Sequence, residues 1–456
     1  MNSCTYSTRA LLNSFLLNKI LKSNRSQIVP IAIIAGLFFI FGFVTWINGA
    51  LIPFMKTIHE LTDAQSYLVA SASYISFVVM ALPSAYILKK TGYIKGMSLG
   101  LLIMAIGALI FIPAAQARTY WIFLVAIFIQ GTGMTLLQTA SNPYITILGP
   151  IDRAAKRIAI MGIANKVAGG LGSVIFGALL LTGIDEVQNQ LAVVSNAEKD
   201  VLLDTLANGV KTPYIVMTGV LILLGFLIRK APLPHVEAPD ETHSSADHNV
   251  KTSIFNFPHL WLGVLTLFAY VGAEVIAGDT IISYGISLGF PVADAKFFTM
   301  YTLLAMVFTY ALGIMLIPKY ISQDNALKIS AVLGIVFSLC VINTHGSTSV
   351  FFVAALGFAN ALVWPAVWPL TLKGLGSFTK TASALLIMAI SGGAIIPPLY
   401  GRLVDRKKVD LLTTTLSEPE ALAQASTSGY WILLPCYILI LYYALKGHKL
   451  GRRNLS

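Results

Sequence analysis

The sequence predicts an all-α membrane protein of twelve transmembrane helices in two six-helix bundles, and three observations carry that expectation. The 456 residues are 56% hydrophobic and 11% charged, with a mean hydropathy of +0.77, whereas a soluble chain carries about a quarter charged residues. Apolar runs of about 18 residues or more, long enough to cross the hydrocarbon core as helices, recur along the whole length. Lys and Arg gather in the short connections between those runs, where they orient a membrane protein.

The spans are expected at 30–54, 66–88, 96–116, 120–148, 158–182, 213–229, 258–288, 297–318, 327–344, 349–372, 382–404 and 428–446. Lys19, Lys22 and Arg25 precede the first span. Lys89, Lys90 and Lys95 follow the second; Arg153, Lys156 and Arg157 follow the fourth. Arg229 and Lys230 follow the sixth, Lys319 and Lys328 flank the connection after the eighth, and Lys373 and Lys380 follow the tenth. Lys446, Lys449, Arg452 and Arg453 form the tail. If each span crosses once, all of these share one side, so both termini are expected in the cytoplasm. Arg406, Lys407 and Lys408 fall on the opposite side and are outvoted.

The spans divide into a cytoplasmic N-terminal segment (1–29), an N-terminal bundle (30–229), a linker (230–257), a C-terminal bundle (258–447) and a cytoplasmic tail (448–456). The linker is rich in Pro, His, Ser and Asp and reads as flexible. The connection from Gly183 to Val210 is more acidic and is expected to carry a short helix. The halves echo one another. "NPYITILGP" closes the fourth span and "WPAVWPLTLKGLG" the tenth, placing Pro143 and Pro365 alike, and Ile160–Ala164 "IMGIA" matches Ile387–Ser391 "IMAIS". Self-similar six-span halves mark repeat-built transporters, whose substrate sites lie at the midplane.

Other classes are disfavoured. The net charge of +11 is spread over the connections, not gathered into a nucleic-acid-binding patch. Cys4, Cys340 and Cys436 are far apart and form neither a metal-ligand spacing nor a disulfide framework. The first apolar span is too long for a removable signal peptide and lacks a small-residue cleavage site. No buried triad is evident, since His345 lies at a span end and His243 and His248 in the linker; no cofactor or enzymatic activity is expected. A non-transporting sensor is a remote alternative, and the chain has no soluble output domain to support it.

Chemistry concentrates in a few residues within the spans. Glu274 and Asp279 interrupt the apolar run from Trp261 to Leu288. An ionised carboxylate at that depth costs about 3 kcal/mol or more unless it is paired or used. Lys166 of the fifth span can pair with one of them, leaving one excess negative charge for a proton or a metal cation. The acids are five residues apart, about 140° around a regular helix. They can meet one ligand only if the helix opens between them, for which Gly278 offers a place. A cation site built of Glu274 and Asp279 is therefore expected, for a proton or a metal cation such as sodium, and it points to coupled transport.

Polar partners for a neutral substrate lie at similar depth. Thr135, Gln138 and Asn142 share a face of the fourth span, and Asn165 sits in the fifth beside Gly162, Gly169, Gly170 and Gly172. Asn48 follows Trp46 in the first span. Asn360, Trp364 and Trp368 are spaced by four in the tenth, with Pro365 and Pro369 expected to bend it. Amides bond sugar hydroxyls in both senses, and indoles stack on a pyranose face. The same amides can serve only to glue helices, and the glycines are read as packing positions.

Five segments carry a family resemblance: "LFFIFGFVTWINGALIPFMK", "GMTLLQTASNPYITILGP", "YVGAEVIAGDTIISYG", "FANALVWPAVWPLTLKGLG" and "IMAISGGAIIPPLYGRLVD". They resemble the sugar permeases of the major facilitator superfamily: fucose–proton symporters, glucose/galactose and N-acetylglucosamine permeases, and the animal sodium-dependent glucose transporter. The resemblance runs from about residue 30 to 445 and implies two six-helix bundles alternating around a central sugar site. It also puts Asn48, Gln138, Asn142 and Trp364 at pocket-lining positions. The fucose branch carries an Asp after the first-span Asn and a Glu in the fourth span, where this chain has Gly49 and Gln138. Neither binds a proton, and Glu274 in "GAEV" matches the glucose/galactose branch, which suggests sodium. "LKKTGYIKG" is a degenerate form of the superfamily's loop signature. The expected protein is a monomeric hexose symporter of a bacterial inner membrane, coupled to Na+, for glucose or galactose. A proton-driven N-acetylglucosamine or other sugar permease is the alternative.

Overall fold

The computed structural model describes residues 28–148, 154–182, 184–191, 195–234, 253–317, 319–375 and 378–451. Cys4, Lys19, Lys22, Arg25, Arg153, His243, His248, Arg452, Arg453 and most of the 230–257 linker lie outside the described residues.

Every regular element among the described residues is helical. Among the described residues eleven helices are long and apolar enough to cross a membrane. One of them, Leu68–Gln116, spans 49 residues and contains Gly92 at φ +75. That left-handed residue turns the chain back on itself, which glycine allows without a steric cost, so the helix supplies two crossings and the total is twelve.

These spans are α1 (Ile28–His59), α2 and α3 (68–91 and 93–116), α4 (Tyr120–Ile147), α5 (Ala154–Leu180) and α6 (Lys211–Lys230). The second half holds α7 (Pro258–Asp279, continued by Ile281–Ser287), α8 (Phe298–Leu316) and α9 (Gln323–Asn343). It closes with α10 (Gly346–Asn360, then Val363–Leu372), α11 (Thr379–Met388, then Gly392–Leu412) and α12 (Leu433–Leu445). The α5–α6 connection carries two short helices, Ile184–Leu191 and Asn196–Asn208, where one was expected.

Proline chemistry sets several breaks. Proline has no N–H and its ring crowds the carbonyl four residues back. Pro365 does this to Ala361, and α10 breaks between Asn360 and Val363. Helix α11 runs eight residues past its expected end at 404, about 12 Å, to Leu412. Arg406, Lys407 and Lys408 ride on that extension, where Lys408 meets Glu418 at 2.7 Å. They therefore lie on a continuous helix and not in one of the short connections that carry the charge pattern.

At the end of the bundle that carries the α1–α2 connection, the two halves are bonded together. The Asp405 carboxylate of α11 accepts from the backbone N–H groups of Asp63 and Ala64, at 3.0 and 2.9 Å. These open a short helix, Asp63–Ser66, whose exposed N–H groups favour an anion. The Ser71 hydroxyl of α2 donates to the Ala394 carbonyl of α11, an acceptor that Pro398, four residues on, leaves without its helical donor. A Cβ on Gly401 would come within 2.8 Å of the Ala64 backbone, so only glycine permits this approach.

Candidate substrate and ion site at the seam of the two halves

The centre of the site is an ion pair. Lys166 Nζ on α5 lies 2.7 Å from Glu274 Oε1 on α7, with both side chains about nine-tenths buried. Burial makes both ions depend on each other, because each alone would lose its solvation without compensation. The ammonium also lies 4.3 Å from the centre of the Trp46 ring on α1. Trp46 in turn donates its indole N–H to Asn165 Oδ1 at 3.4 Å. A Cβ at Gly169 of α5 or Gly278 of α7 would overlap that ring, so the two glycines form the slot it occupies.

Asp279 is different. It has no exposed surface, and neither carboxylate oxygen has a hydrogen-bond partner. Glu274 and Lys166 lie within its electrostatic reach. The chain places the acid at the last residue of the first α7 segment, before the break at Thr280.

The expectation that α7 opens at Gly278, between the acids, is corrected: the helix is continuous from Glu274 to Asp279 and breaks one residue later. Gly278 serves to admit the Trp46 ring. The break is supported from neighbouring helices. Thr299 and Thr302 of α8 donate their hydroxyls to the carbonyls of Gly278 and Ala277, at 2.7 and 3.2 Å. Thr280 turns its own hydroxyl to Ile276 O at 2.7 Å and meets Tyr430 Oη at 2.9 Å. The two carboxylates have different surroundings: Glu274 is engaged by Lys166, whereas Asp279 has no hydrogen-bond partner and follows two carbonyls, of Ala277 and Gly278, that accept from α8 threonines. Among the described residues no cluster of three His, Cys, Asp or Glu side chains is found.

The amide residues fall into two groups. Asn48, Asn165 and Asn360 are buried, and each has an Nδ2 donor without a partner. Asn360 Oδ1 accepts from Tyr437 at 2.9 Å, and Tyr437 lies in electrostatic range of Glu274. These donors come from α1, α5 and α10, hence from both halves. Gln138 and Asn142 on α4 are joined to each other at 3.4 Å. Trp364 and Trp368 are half-buried and stack on one another, 5.2 Å between ring centres at 25°. They form one aromatic wall after the α10 break.

Several participants were not legible as site residues: Trp46, the α8 threonines, and Tyr74, Tyr270 and Tyr310, which lie in electrostatic range of Glu274. The weak signal for Trp46 was a large ring with glycines at the same depth in two other spans. A cavity of about 570 Å³ between α8 and α10, lined by Phe298, Tyr301, Phe308, Phe351 and Phe358, is apolar and belongs to the outer face of the bundle, not to this site.

Apolar helices long enough to cross a membrane, with a buried ion pair across their seam, describe a membrane-embedded protein built in two halves. The chain belongs to the Major Facilitator Superfamily, whose sequence profile matches residues 34–406. It is an integral membrane protein of that transporter superfamily. It is similar to the glucose/galactose transporter of Brucella abortus, at 30% identity over 416 residues, covering 91% of this chain and 92% of the relative. It is also similar to the L-fucose-proton symporter of Escherichia coli, at 29% identity over 392 residues, 84% of this chain and 88% of that protein. Among solved structures, the Major Facilitator Superfamily transporter FucP in the outward conformation superposes with a TM-score of 0.68 at 26% identity, covering 92% of this chain and 98% of FucP. An inward-facing bacterial homologue of the lysosomal transporter Spinster gives a TM-score of 0.65 at 15% identity, covering 94% and 99%, a likeness of fold alone.

Proposed function

We propose that the protein is a cation-coupled hexose symporter that imports glucose or galactose across a bacterial inner membrane, with sodium as the coupling ion. The observation that carries the reading is the set of three buried amide donors without partners, Asn48, Asn165 and Asn360, contributed by helices of both halves, together with the unpaired Asp279. Buried donors are nearly always satisfied, so an orphaned set of this kind calls for a ligand rich in acceptors. Sugar hydroxyls meet that need, with Trp364 and Trp368 as the stacking surface. The similarity to glucose/galactose transporters supports this substrate class.

Coupling follows from charge. Enclosing an unpaired carboxylate in the bundle costs several kcal/mol, of order 3 or more. With a cation on Asp279 the site is balanced and can close around the sugar. Lys166 and Glu274 are already balanced and are assigned to the structural side of the site. By linkage, sugar must tighten cation binding by the same factor that the cation tightens sugar. The bundles 30–229 and 258–447 rock about this centre in a monomer. The basic connections put both termini in the cytoplasm, so the end joined by Asp405 faces outward and the arrangement is an outward-closed one.

The test is uptake of labelled glucose into proteoliposomes at fixed pH, with sodium present or replaced by choline, and with galactose, fucose and N-acetylglucosamine as competitors. Sodium-stimulated uptake, blocked by galactose and lost in Asp279→Asn, is expected. Sodium-independent uptake that follows a pH gradient supports the second reading, a proton-driven sugar permease, which the similarity to the L-fucose-proton symporter favours. Full cation-dependent uptake in Asp279→Asn would sink the role given to that acid.

A further inference from the structure

We propose that Trp46 is a positioning residue for ion coupling: its indole holds the Lys166 ammonium against Glu274 and so keeps it off Asp279. This rests on the reading that Asp279 takes the coupling cation.

One ammonium serves two carboxylates. Lys166 bonds Glu274 at 2.7 Å, and Asp279 lies within electrostatic reach of the same charge. A lysine is a point charge on a flexible stem and can change partners by rotation alone. If it moved to Asp279, the protein would neutralise its own coupling acid and an external cation would have to displace an internal one. Something must bias the ammonium toward Glu274.

Trp46 is placed to do so. It is 2% exposed, so its ring acts in a dry environment. The ammonium lies 4.3 Å from the ring centre, inside the range at which an aromatic face attracts a cation. The ring is itself fixed on three sides. Its N–H is held by Asn165, its edges fill the slot left by Gly169 and Gly278, and Leu303, Met306 and Tyr310 of the other half pack with it. A residue that only filled the core would need no cation at its face.

The experiment measures glucose uptake by the full-length protein in proteoliposomes against external sodium at fixed pH, and against pH with sodium replaced by choline. Trp46→Leu should raise the half-saturating concentration of the coupling cation about tenfold, the scale of a desolvated cation–aromatic contact. The half-saturating glucose concentration at saturating cation should stay near the wild-type value. Trp46→Phe, which keeps an aromatic face, should recover most of the shift. Gly169→Ala, which crowds the ring from α5, should move the cation requirement in the same direction and covers the case in which Trp46→Leu does not fold. A lowered maximal rate with an unshifted cation requirement in both variants would overturn the proposal and leave Trp46 a core filler. Loss of cation dependence in Asp279→Asn beside an unshifted Trp46→Leu overturns the role of Trp46 alone. Undiminished cation dependence in Asp279→Asn overturns the reading on which it rests.

Discussion

Lys166 on α5 and Glu274 on α7 meet at 2.7 Å and tie the two halves of the chain together at the depth where Asp279 stands unpaired. The pair decides how a single excess charge is distributed. It engages one carboxylate and leaves the other, Asp279, fully buried with no hydrogen-bond partner. Its energetic signature is mutual dependence more than net stability, since a buried pair often does no better than apolar residues of equal volume.

Removing one member should therefore hurt more than removing both. Lys166→Met or Glu274→Gln alone is expected to destabilise the protein by about 3–5 kcal/mol, whereas the double variant recovers much of that loss. Thermal unfolding of the purified protein in detergent reads the effect. Equal losses in single and double variants would mean that the pair is not mutually compensating.

The Asp405 carboxylate joins the halves through two backbone N–H groups, at 3.0 and 2.9 Å. Asp405→Ala should remove an anchor of the kind that helix N-caps supply, about 1 kcal/mol, or roughly a fivefold shift toward the state open at that end. Spin-label distances between the α1–α2 connection and the end of α11 should lengthen in population. An unchanged distance distribution would assign the closed end to packing alone.

Packing makes a separate prediction. Gly401 approaches the Ala64 backbone so closely that a Cβ would stand 2.8 Å away. Gly401→Leu should prevent closure at that end, because backbone on one side cannot shift as a side chain can. Sugar binding should persist while transport stops. Transport at the wild-type rate would show that the cycle does not require this close approach.

The aromatic wall of α10 should act on substrate affinity. Trp364 and Trp368 stack at 5.2 Å and are half-buried, which leaves ring surface for a pyranose face. Trp364→Ala is expected to raise the half-saturating sugar concentration about tenfold, near 1.4 kcal/mol, with the cation requirement little changed. The reverse pattern, a shifted cation requirement with unaltered sugar affinity, would move the tryptophans out of the sugar site.

The sequence by itself determined the twelve-span architecture, because hydrocarbon forces every span to announce itself as a continuous apolar helix. It also determined that one buried charge would be left over, since two acids and one lysine inside the bundle cannot balance. Only the tertiary structure decided which acid that is: the choice depends on the rotation of α7 against α5, and no spacing within α7 contains it. The same holds for the break in α7. Glycine made residue 278 the natural place by local reasoning, yet Thr299 and Thr302 from α8 take the carbonyls of Gly278 and Ala277, and the helix yields at Thr280 instead. Trp46 was written in the chain as one apolar residue among many. Its position against Lys166 exists only because Gly169 and Gly278, 109 residues apart in sequence, leave one slot between them. Hydropathy is a property of each segment alone and survives in the sequence, whereas pairing is a property of two surfaces and appears only when they meet.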